Sequence, residues 1–279
     1  MSNPFKITEP TCISFSGGRT SAYMLWRVLQ SNGGLPDEAK VCFANTGKED
    51  DATLRFVQDC SEQWGVPITW LEYQQEDPRF KVVNFEIASR QGEPFEAIIK
   101  KRNFLPNPVA RFCTVELKIQ PELKYLKSLG WSDWDNMVGI RADEPRRVAK
   151  IKANPSGGKA EPERIMPLAS AGIRKEDVGA FWASQPFDLA LPNINGVTYH
   201  GNCDLCFLKG ESQTRSLIAE KPERAIWWAR MEALALASKP DGAKFRKDRD
   251  SYQTMMDYAK NQMPMFDKAD ESIPCFCGD

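Results

Sequence analysis

Two short stretches carry residues whose types and spacing could do chemistry. The first is Ser16-Gly17-Gly18-Arg19-Thr20-Ser21. It lies between an apolar run, residues 12–15, and a run with Ala22, Leu25, Trp26 and Leu29 at helical spacing. Adjacent glycines at such a junction let the chain turn sharply and bring its backbone close to a ligand. Open N–H groups at the start of the following helix favour a phosphate. The same residues also suit an ordinary strand–helix turn capped by Ser or Thr, so the glycines alone leave both readings open.

The second stretch is Cys203-Asp204-Leu205-Cys206. A C-x2-C knuckle points two thiolates at one centre. Tetrahedral zinc uses this spacing, and so does a four-iron cluster, which takes up to four soft ligands. Cys113 is a candidate third donor at a predicted helix start, where the N-terminus stabilises a thiolate. The stretch Pro274-Cys275-Phe276-Cys277-Gly278-Asp279 offers a fourth, Cys275, which leaves Cys277 available as a nucleophile. His200 is the one histidine, three positions before the knuckle. It suits an acid–base role or a hydrogen bond to a cluster sulfur or a backbone carbonyl. With no second histidine, a serine-hydrolase charge relay has no support.

Composition narrows the context. The 279 residues carry 37 basic and 38 acidic side chains, a formal charge of -1, which argues against a strong nonspecific grip on nucleic acid. No membrane-spanning run and no signal-like opening are present, so a soluble, cytoplasmic protein is expected. Eight cysteines are too few and too unevenly spaced for a disulfide scaffold in this length. Cys12, Cys42 and Cys60 fall in apolar patterns and are expected in the core.

The elements that must position these groups follow from periodicity. Strand-like runs at 11–16, 39–45 and 66–73 alternate with helical patterns at 20–31 and 51–64. Repeated βα alternation predicts an α/β fold with an open, mostly parallel sheet and helices on both faces. A further short strand is expected near 81–84, a helix at 94–102, a helix from 114 interrupted or reset at Pro121, and strands at 136–140 and 163–169. From 173 onward the pattern is mostly helical apart from 191–203, so residues 1–170 read as an α/β core and 171–279 as a helical C-terminal extension. Within that extension, adjacent Trp227 and Trp228 are not expected to face the same core; a ligand or a subunit interface could take one of them, and core packing is the commoner answer. The charged stretch 244–250 is expected in solvent. Ligands of open parallel sheets bind beyond the carboxyl ends of the strands. The glycine loop, the segment Asn45-Thr46-Gly47-Lys48-Glu49 and Arg141 each follow a predicted strand, so they are expected to converge on one crevice.

Taken together these segments resemble the phosphoadenosine phosphosulfate reductase-like branch of the adenine nucleotide alpha hydrolase, or pyrophosphatase-loop, fold. "SFSGGRTSAYML" resembles its SGGxDS loop, "FANTGKEDDATLRFV" its second motif, "ARFCTVELKIQP" its Arg-x-Cys-Thr…Lys…Pro segment, and "GIRADEPRR" its Gly-Ile-Arg-x-x-Glu segment. The order agrees, and the likeness covers roughly residues 10–210. A Walker loop is excluded by spacing. The resemblance implies that Ser16, Gly17, Gly18 and Ser21 cradle nucleotide phosphates, that Arg19 holds a phosphate, and that Asn45, Thr46, Gly47 and Glu49 line the adenosine side. It implies that Arg111, Lys118 and Arg141 supply positive charge to a phosphate or oxyanion. Thr20 stands where the usual motif has aspartate, which removes a carboxylate from magnesium coordination. Cluster-bearing adenylyl-sulfate reductases pair two cysteines where this chain has Phe112-Cys113 and carry a later C-x2-C. The resemblance therefore favours a 4Fe-4S cluster on Cys113, Cys203 and Cys206 over zinc, with the fourth donor from Cys275 or Cys277 or one iron left open, and Cys275 is taken as the expected ligand.

The function implied is an enzyme that binds ATP, with Mg2+ as companion ion, and adenylates an acceptor for sulfur transfer, with Arg19, Arg141 and Cys277 as catalytic residues. The alternative is reduction of adenylyl sulfate or its phosphorylated form to sulfite through Cys277, since sulfonucleotide reductases carry a cysteine-glycine pair near the C-terminus. A third reading is a non-catalytic nucleotide-binding module. Expected partners are an adenine nucleotide and a sulfur- or electron-donor protein. A homodimer is compatible with the sequence, and no membrane contact is expected.

Overall fold

The computed structural model describes residues 3–156, 161–238 and 244–261. The first half alternates as its periodicity predicts: β1 (Thr11–Ser14), α1 (Arg19–Asn32), β2 (Ala39–Ala44), α2 (Asp51–Trp64) and β3 (Ile68–Tyr73). There follow β4 (Phe80–Val83), α3 (Glu93–Arg102), α4 (Phe112–Thr114), a π-helical turn (Val115–Ile119), α5 (Gln120–Ser128), β5 (Asp135–Val138), α6 (Pro145–Ala153), β6 (Glu163–Ile165) and α7 (Pro167–Ser170). The chain continues through α8 (Lys175–Ala183), α9 (Glu211–Glu220), α10 (Arg224–Ser238) and α11 (Tyr252–Asn261). The six strands lie in the order β4-β3-β2-β1-β5-β6, all parallel except β4, which runs antiparallel to β3. This is an α/β fold with a largely parallel sheet, flanking helices and a C-terminal helical extension. No helix among the described residues is long and apolar enough to cross a membrane.

The strand order has a direct consequence for the site. The chain leaves β1 toward β2 and β3, then returns to place β5 on the other side of β1. Open α/β sheets bind ligands at such a reversal, beyond the carboxyl ends of the strands. Helices cover both faces. One face packs Phe43, Val41 and Ile13 against α1 and α2, with Val178 and Trp182 of α8 in the same cluster. The other face packs Cys12, Cys42 and Leu71 against Leu123 and Leu126 of α5.

Local structure departs from the sequence pattern in four places. Pro121 does not interrupt its helix. The backbone widens one turn earlier, so that the Gln120 N–H reaches back five residues to the Val115 carbonyl. A wide turn just before the proline accommodates its missing amide without a break. The irregular part of the extension is longer than 191–203 and runs from 184 to 210. Its carbonyls find partners outside any helix: Arg19 donates to Leu189 and Leu191, and Lys209 to Tyr199 and Gly201. Buried backbone must be paired, and here two cations satisfy it.

Trp227 and Trp228 are both packed in the core, and in one apolar cluster, against the expectation that adjacent residues cannot face the same core. Because α10 is wedged between two layers, Trp227 meets Phe95 of α3 at 5.2 Å while Trp228 stacks on Tyr252 of α11 at 5.3 Å. Finally, the charged stretch 244–250 is only partly solvated. Phe245 and Arg249 are buried, and Arg249 donates to the Lys209 carbonyl at 3.0 Å and the Tyr252 hydroxyl at 3.2 Å. Charge content alone concealed this anchor, because the apolar contact is made by its neighbour in sequence.

Trp228 also donates from Nε1 to Asp204 Oδ1 at 2.9 Å. Trp228→Ala is expected to cost about 3–5 kcal/mol through the cavity it leaves. Trp228→Phe keeps most of the ring but removes one donor from a buried carboxylate, at about 1–3 kcal/mol. Chemical denaturation of the three proteins checks both values.

Candidate nucleotide and cysteine site

The glycine loop is built by a backbone that only glycine adopts easily. Gly17 has φ of +77°, and a Cβ there would lie 2.7 Å from Thr53 Cγ2 of α2. Gly18 is the N-cap of α1 in extended conformation, and no side chain caps the helix. The loop closes on itself through hydroxyls. Ser16 Oγ lies 2.9 Å from Ser21 Oγ, which also donates to the Gly18 carbonyl at 3.0 Å. The end of β5 presses against it: a Cβ on Gly139 would meet Ser21 Cα at 3.1 Å. The loop opens into a pocket also lined by Thr53, Arg141, Lys175 and Thr198. Thr53 Oγ1 is buried there without a hydrogen-bond partner. An uncapped helix start, three cationic side chains against one carboxylate in the wall, and an unpaired hydroxyl make a cradle suited to an anion.

Two predicted groups meet in this pocket. Arg141 donates from Nη1 to Thr20 Oγ1 at 3.0 Å and from Nε to Asp143 at 3.0 Å, so the loops after β1 and β5 are joined directly. Arg19 behaves differently from a loose phosphate ligand. Its guanidinium forks onto Asp188 with two contacts of 2.7 Å and also donates to Thr198 Oγ1 at 3.1 Å. It ties the 188–198 segment over the glycine loop, so the segment forms the far wall of the pocket.

The segment after β2 is turned inward. Asn45 and Thr46 are fully buried. Asn45 donates to Glu72 Oε1 at 2.6 Å and to the Ser89 carbonyl, and its Oδ1 accepts from Gly47 N–H at 3.1 Å. Glu49 accepts from Thr46 N–H at 2.8 Å, and Thr46 Oγ1 is 3.4 Å from Cys203 Sγ. Glu49 and Cys203 form an antiparallel bridge, Asp204 N–H donates to the Lys48 carbonyl at 2.7 Å, and Lys48 pairs with Asp204 at 3.1 Å. This segment therefore docks the cysteine knuckle, while the glycine loop and Arg141 share a pocket. Arg111 is the N-cap of α4 and lines a shallow surface pocket with Phe112 and Arg102.

Cys203 and Cys206 are buried in the apolar cluster of the extension, and Cys113 packs against it. Burial first, and the Glu49 carboxylate next, push the Cys203 thiol well above its ordinary range. Among the described residues, no three His, Cys, Asp or Glu side chains come together as a group able to hold a metal ion. Cys275 and Cys277 lie outside the described residues. The three thiols thus share one apolar neighbourhood, but among the described residues they do not assemble the expected ligand set, and no chemical step below passes through a cluster. His200 is also buried. Its Nε2 lies 2.8 Å from Glu220 of α9 rather than on a sulfur or a carbonyl, and its Nδ1 has no partner.

A second cavity lies on the other side of Ser16, over the ends of β1, β2 and β5. Lys118, Glu122, Asn136, Arg147 and Arg164 line it together with apolar residues such as Ile119 and Val138. Sequence reasoning named only Ser16 and Lys118 of this set. On its floor, Ser14 Oγ is 2.7 Å from Asn136 Oδ1 and 3.1 Å from Glu122 Oε2, and Asn136 Nδ2 donates to Glu122 Oε1 at 2.9 Å. The Ser14 hydroxyl is within donating distance of both Asn136 Oδ1 and the Glu122 carboxyl, and Asn136 donates to Glu122, so the three side chains close a buried polar ring. Burial pushes the Glu122 carboxyl up to about 7, against the hydrogen bonds that pull it down. The signal for Glu122 was present in the sequence. Ile119, Glu122, Leu123 and Leu126 occupy i, i+3, i+4 and i+7, so the acid stands on the apolar face of α5.

Comparison with known proteins fits this geometry. The family model described as the phosphoadenosine phosphosulfate reductase domain matches residues 10–183. The chain is similar to an uncharacterized nin region protein of Escherichia phage lambda, 34% identical over 215 residues, which cover 71% of this chain and 65% of that protein. It is also similar to an uncharacterized protein of Methanocaldococcus jannaschii, 28% identical over 139 residues, or 50% of this chain and 24% of that one. The chain thus spans less than two thirds of the length of either curated relative. Among solved structures, it aligns with the U34-tRNA thiolase NcsA from Methanococcus maripaludis with its 4Fe-4S cluster, with TM-score 0.40 and 14% identity over 93% of this chain and 73% of that one.

The Glu122 ring sets a pH dependence. An acid held at about 7 in the folded chain and near 4.5 when unfolded contributes stability that is complete below pH 4.5 and is lost as pH rises through 7. Wild-type stability is expected to fall between pH 5 and pH 8. Glu122→Gln, which stays neutral, is expected to flatten that slope. Urea midpoints across the range check it, and equal slopes in both proteins would contradict the raised Glu122 carboxyl.

Proposed function

Since the chain belongs to the phosphoadenosine phosphosulfate reductase domain family, we propose that it is an adenine nucleotide-binding enzyme that adenylates an acceptor oxygen for sulfur transfer. The observation that carries this reading is the uncapped start of α1 behind Gly17 and Gly18, facing a pocket with Arg141 and an unpaired Thr53 hydroxyl. Phosphate oxygens fit the N–H groups there, and Thr53 Oγ1 gains the partner it lacks. An acceptor oxygen attacks the α-phosphorus of ATP, the bond to the bridging oxygen breaks, and pyrophosphate leaves. Arg141 and the loop N–H groups stabilise the negative charge that develops on phosphate. A persulfide of a donor protein then attacks the acceptor carbon, AMP departs with the activated oxygen, and a second thiol of the donor cleaves the resulting disulfide, leaving the sulfur on the acceptor and the donor oxidised to a disulfide. Arg19 acts as a positioning residue that holds the 188–198 wall. Residues 1–170 are proposed as the α/β unit of this enzyme and 171–279 as its helical extension.

A 4Fe-4S cluster is a separate part of the proposal. The shared neighbourhood of Cys113, Cys203 and Cys206 supports it, and Cys275 is the fourth donor offered by the sequence. Closing that set requires the thiols to turn from their packed positions and to ionise. Metal binding would supply the free energy for both.

One observation favours sulfonucleotide reduction as the second reading. Thr20 replaces the carboxylate of the usual loop, and its hydroxyl is engaged by Arg141. Reduction releases no pyrophosphate and makes less demand on magnesium. In that reaction the Cys277 thiolate attacks sulfur, the nucleoside phosphate leaves, and an external thiol releases sulfite from the thiosulfonate.

Calorimetry with ATP, AMP and adenylyl sulfate tests the nucleotide reading. Binding is expected for at least one of the three and is expected to weaken about tenfold or more in Arg141→Ala, which loses charge-assisted contacts. No binding of any of them would sink it. Sulfite release with reduced thioredoxin separates the two reactions, and retention of that activity in Cys277→Ser would exclude the nucleophile. Protein purified without oxygen is expected to be brown and to hold about four irons and four sulfides, with the colour lost in Cys203→Ala. Stoichiometric zinc without iron would overturn the cluster.

A further inference from the structure

Tyr73 closes β3 and is 3% exposed. Its hydroxyl is buried and has no hydrogen-bond partner among the described residues. A buried hydroxyl left unpaired is costly, and an incoming acceptor recovers that cost. Tyr73 lines a cavity of 270 Å3 with Arg79, Val115, Glu116, Gln120 and Lys124. The other donors of this lining are also little used. Among the described residues, Lys124 and the Gln120 side-chain amide have no hydrogen-bond or ion-pair partner. The Arg79 guanidinium meets Asp77 at 3.6 Å, and that carboxylate is exposed. The one carboxylate in the lining, Glu116, is already paired with Arg102. A phenol, an amide, an ammonium and a guanidinium thus gather around a single neutralised acid, which leaves the cavity with donors and positive charge in excess. Its place in the fold sets it apart from the two cavities described above. It shares no lining residue with the glycine-loop pocket or with the second cavity. Glu116, Gln120 and Lys124 follow one another at four-residue steps along the π-helical turn and α5, whereas Lys118, Ile119, Glu122 and Leu123 line the second cavity. One helix therefore carries a wall of each on different faces.

We propose that this cavity is an effector site for a compact organic anion, a phosphate ester or a polycarboxylate, held by the Tyr73 hydroxyl, the Gln120 amide, Lys124 and Arg79. Its volume lies just below the range of ligand pockets, which begins at about 300 Å3, so it suits a small acid and not a nucleotide. The Tyr73 hydroxyl and the Gln120 amide donate to the anion's oxygens. Lys124 and Arg79 make those contacts charge-assisted, the stronger class of hydrogen bond. Val115 supplies an apolar patch for the carbon body. The occupant ties the end of β3 to the start of α5, directly behind the helix that walls the second cavity. The site stands on its own lining and does not depend on the nucleotide reading.

The test compares the full wild-type chain with Lys124→Gln, Tyr73→Phe and, as a control on the same helix, the exposed Lys127→Gln. Each is checked for folding by circular dichroism. Calorimetry uses glycerol 3-phosphate and citrate, each added to protein saturated with AMP so that the glycine loop is occupied. Binding of at least one is expected, weakened about tenfold or more in Lys124→Gln and about threefold in Tyr73→Phe, with Lys127→Gln equal to wild type. The tighter of the two probes names the class of anion. Thermal unfolding separates a binding hydroxyl from a structural one. Without anion, Tyr73→Phe is expected to be at least as stable as wild type, because it lacks the unpaired hydroxyl, and with anion it gains less. Should Lys124→Gln fail to fold, wild-type protein decides the matter: the bound anion must slow acetylation of Lys124 and leave Lys127 unchanged, read by peptide mapping. No binding of either probe, affinities equal in every variant, or equal acetylation with and without the anion overturns the site. Wild-type protein that binds no AMP counts against the nucleotide reading alone, and the same titrations without AMP still compare Lys124→Gln with wild type.

Discussion

The place of β1 between β2 and β5 is the constraint from which both cavities follow. Because the chain reverses its direction of travel across the sheet at β1, the loops leaving β1 and β5 face one another over the strand ends. Arg141 can therefore reach Thr20 although 121 residues separate them. Gly17 and Gly139 make the approach close enough: a side chain on either would collide with α2 or with the start of α1. Ser16 stands at the crest. On one side lies the glycine-loop pocket, and on the other the cavity floored by Ser14, Glu122 and Asn136.

Ionic and polar contacts then divide the labour of holding the extension. Arg19 with Asp188 fixes the irregular segment over the glycine loop. Lys48 with Asp204, backed by Trp228, fixes the knuckle against the loop after β2. Lys48 and Asp204 are both buried, so their pair holds a geometry more than it adds net stability, while Asp188 is exposed and its pair with Arg19 is a partly solvated one. The apolar clusters supply the free energy. Val178 and Trp182 join α8 to the sheet helices, and Phe95 and Leu117 join the core to α10 and the knuckle. The two anchors hold to the loops after β1 and β2, with Thr198 and Asn202 in the wall of one pocket and Cys203 one residue further on, beside Thr46.

Much of the architecture was legible in the amino-acid sequence because it depends on local periodicity. Buried strands at β1, β2 and β3 alternate with amphipathic helices, and that pattern admits few folds other than a parallel sheet. The turn at Gly17 and Gly18, and the polar segments after β1, β2 and β5, were equally visible. Their order along the chain, together with the matched motifs, identified the family.

What the sequence could not decide was which of its charged and polar groups are already spent within the protein. Arg19, Asn45 and Glu49 look like ligand-binding residues in one dimension. In three dimensions their donors and acceptors are taken by Asp188, Glu72 and Thr46. Glu122 and Arg147 were not singled out in the sequence, and the fold places both in the lining of one cavity. The physical reason is that hydrogen-bond satisfaction is a property of neighbours distant in sequence: Asp188 lies 169 residues from Arg19. Residue type and local period determined the elements and their chemistry-bearing loops. Tertiary structure alone decided which buried polar groups have a partner among the described residues and which do not.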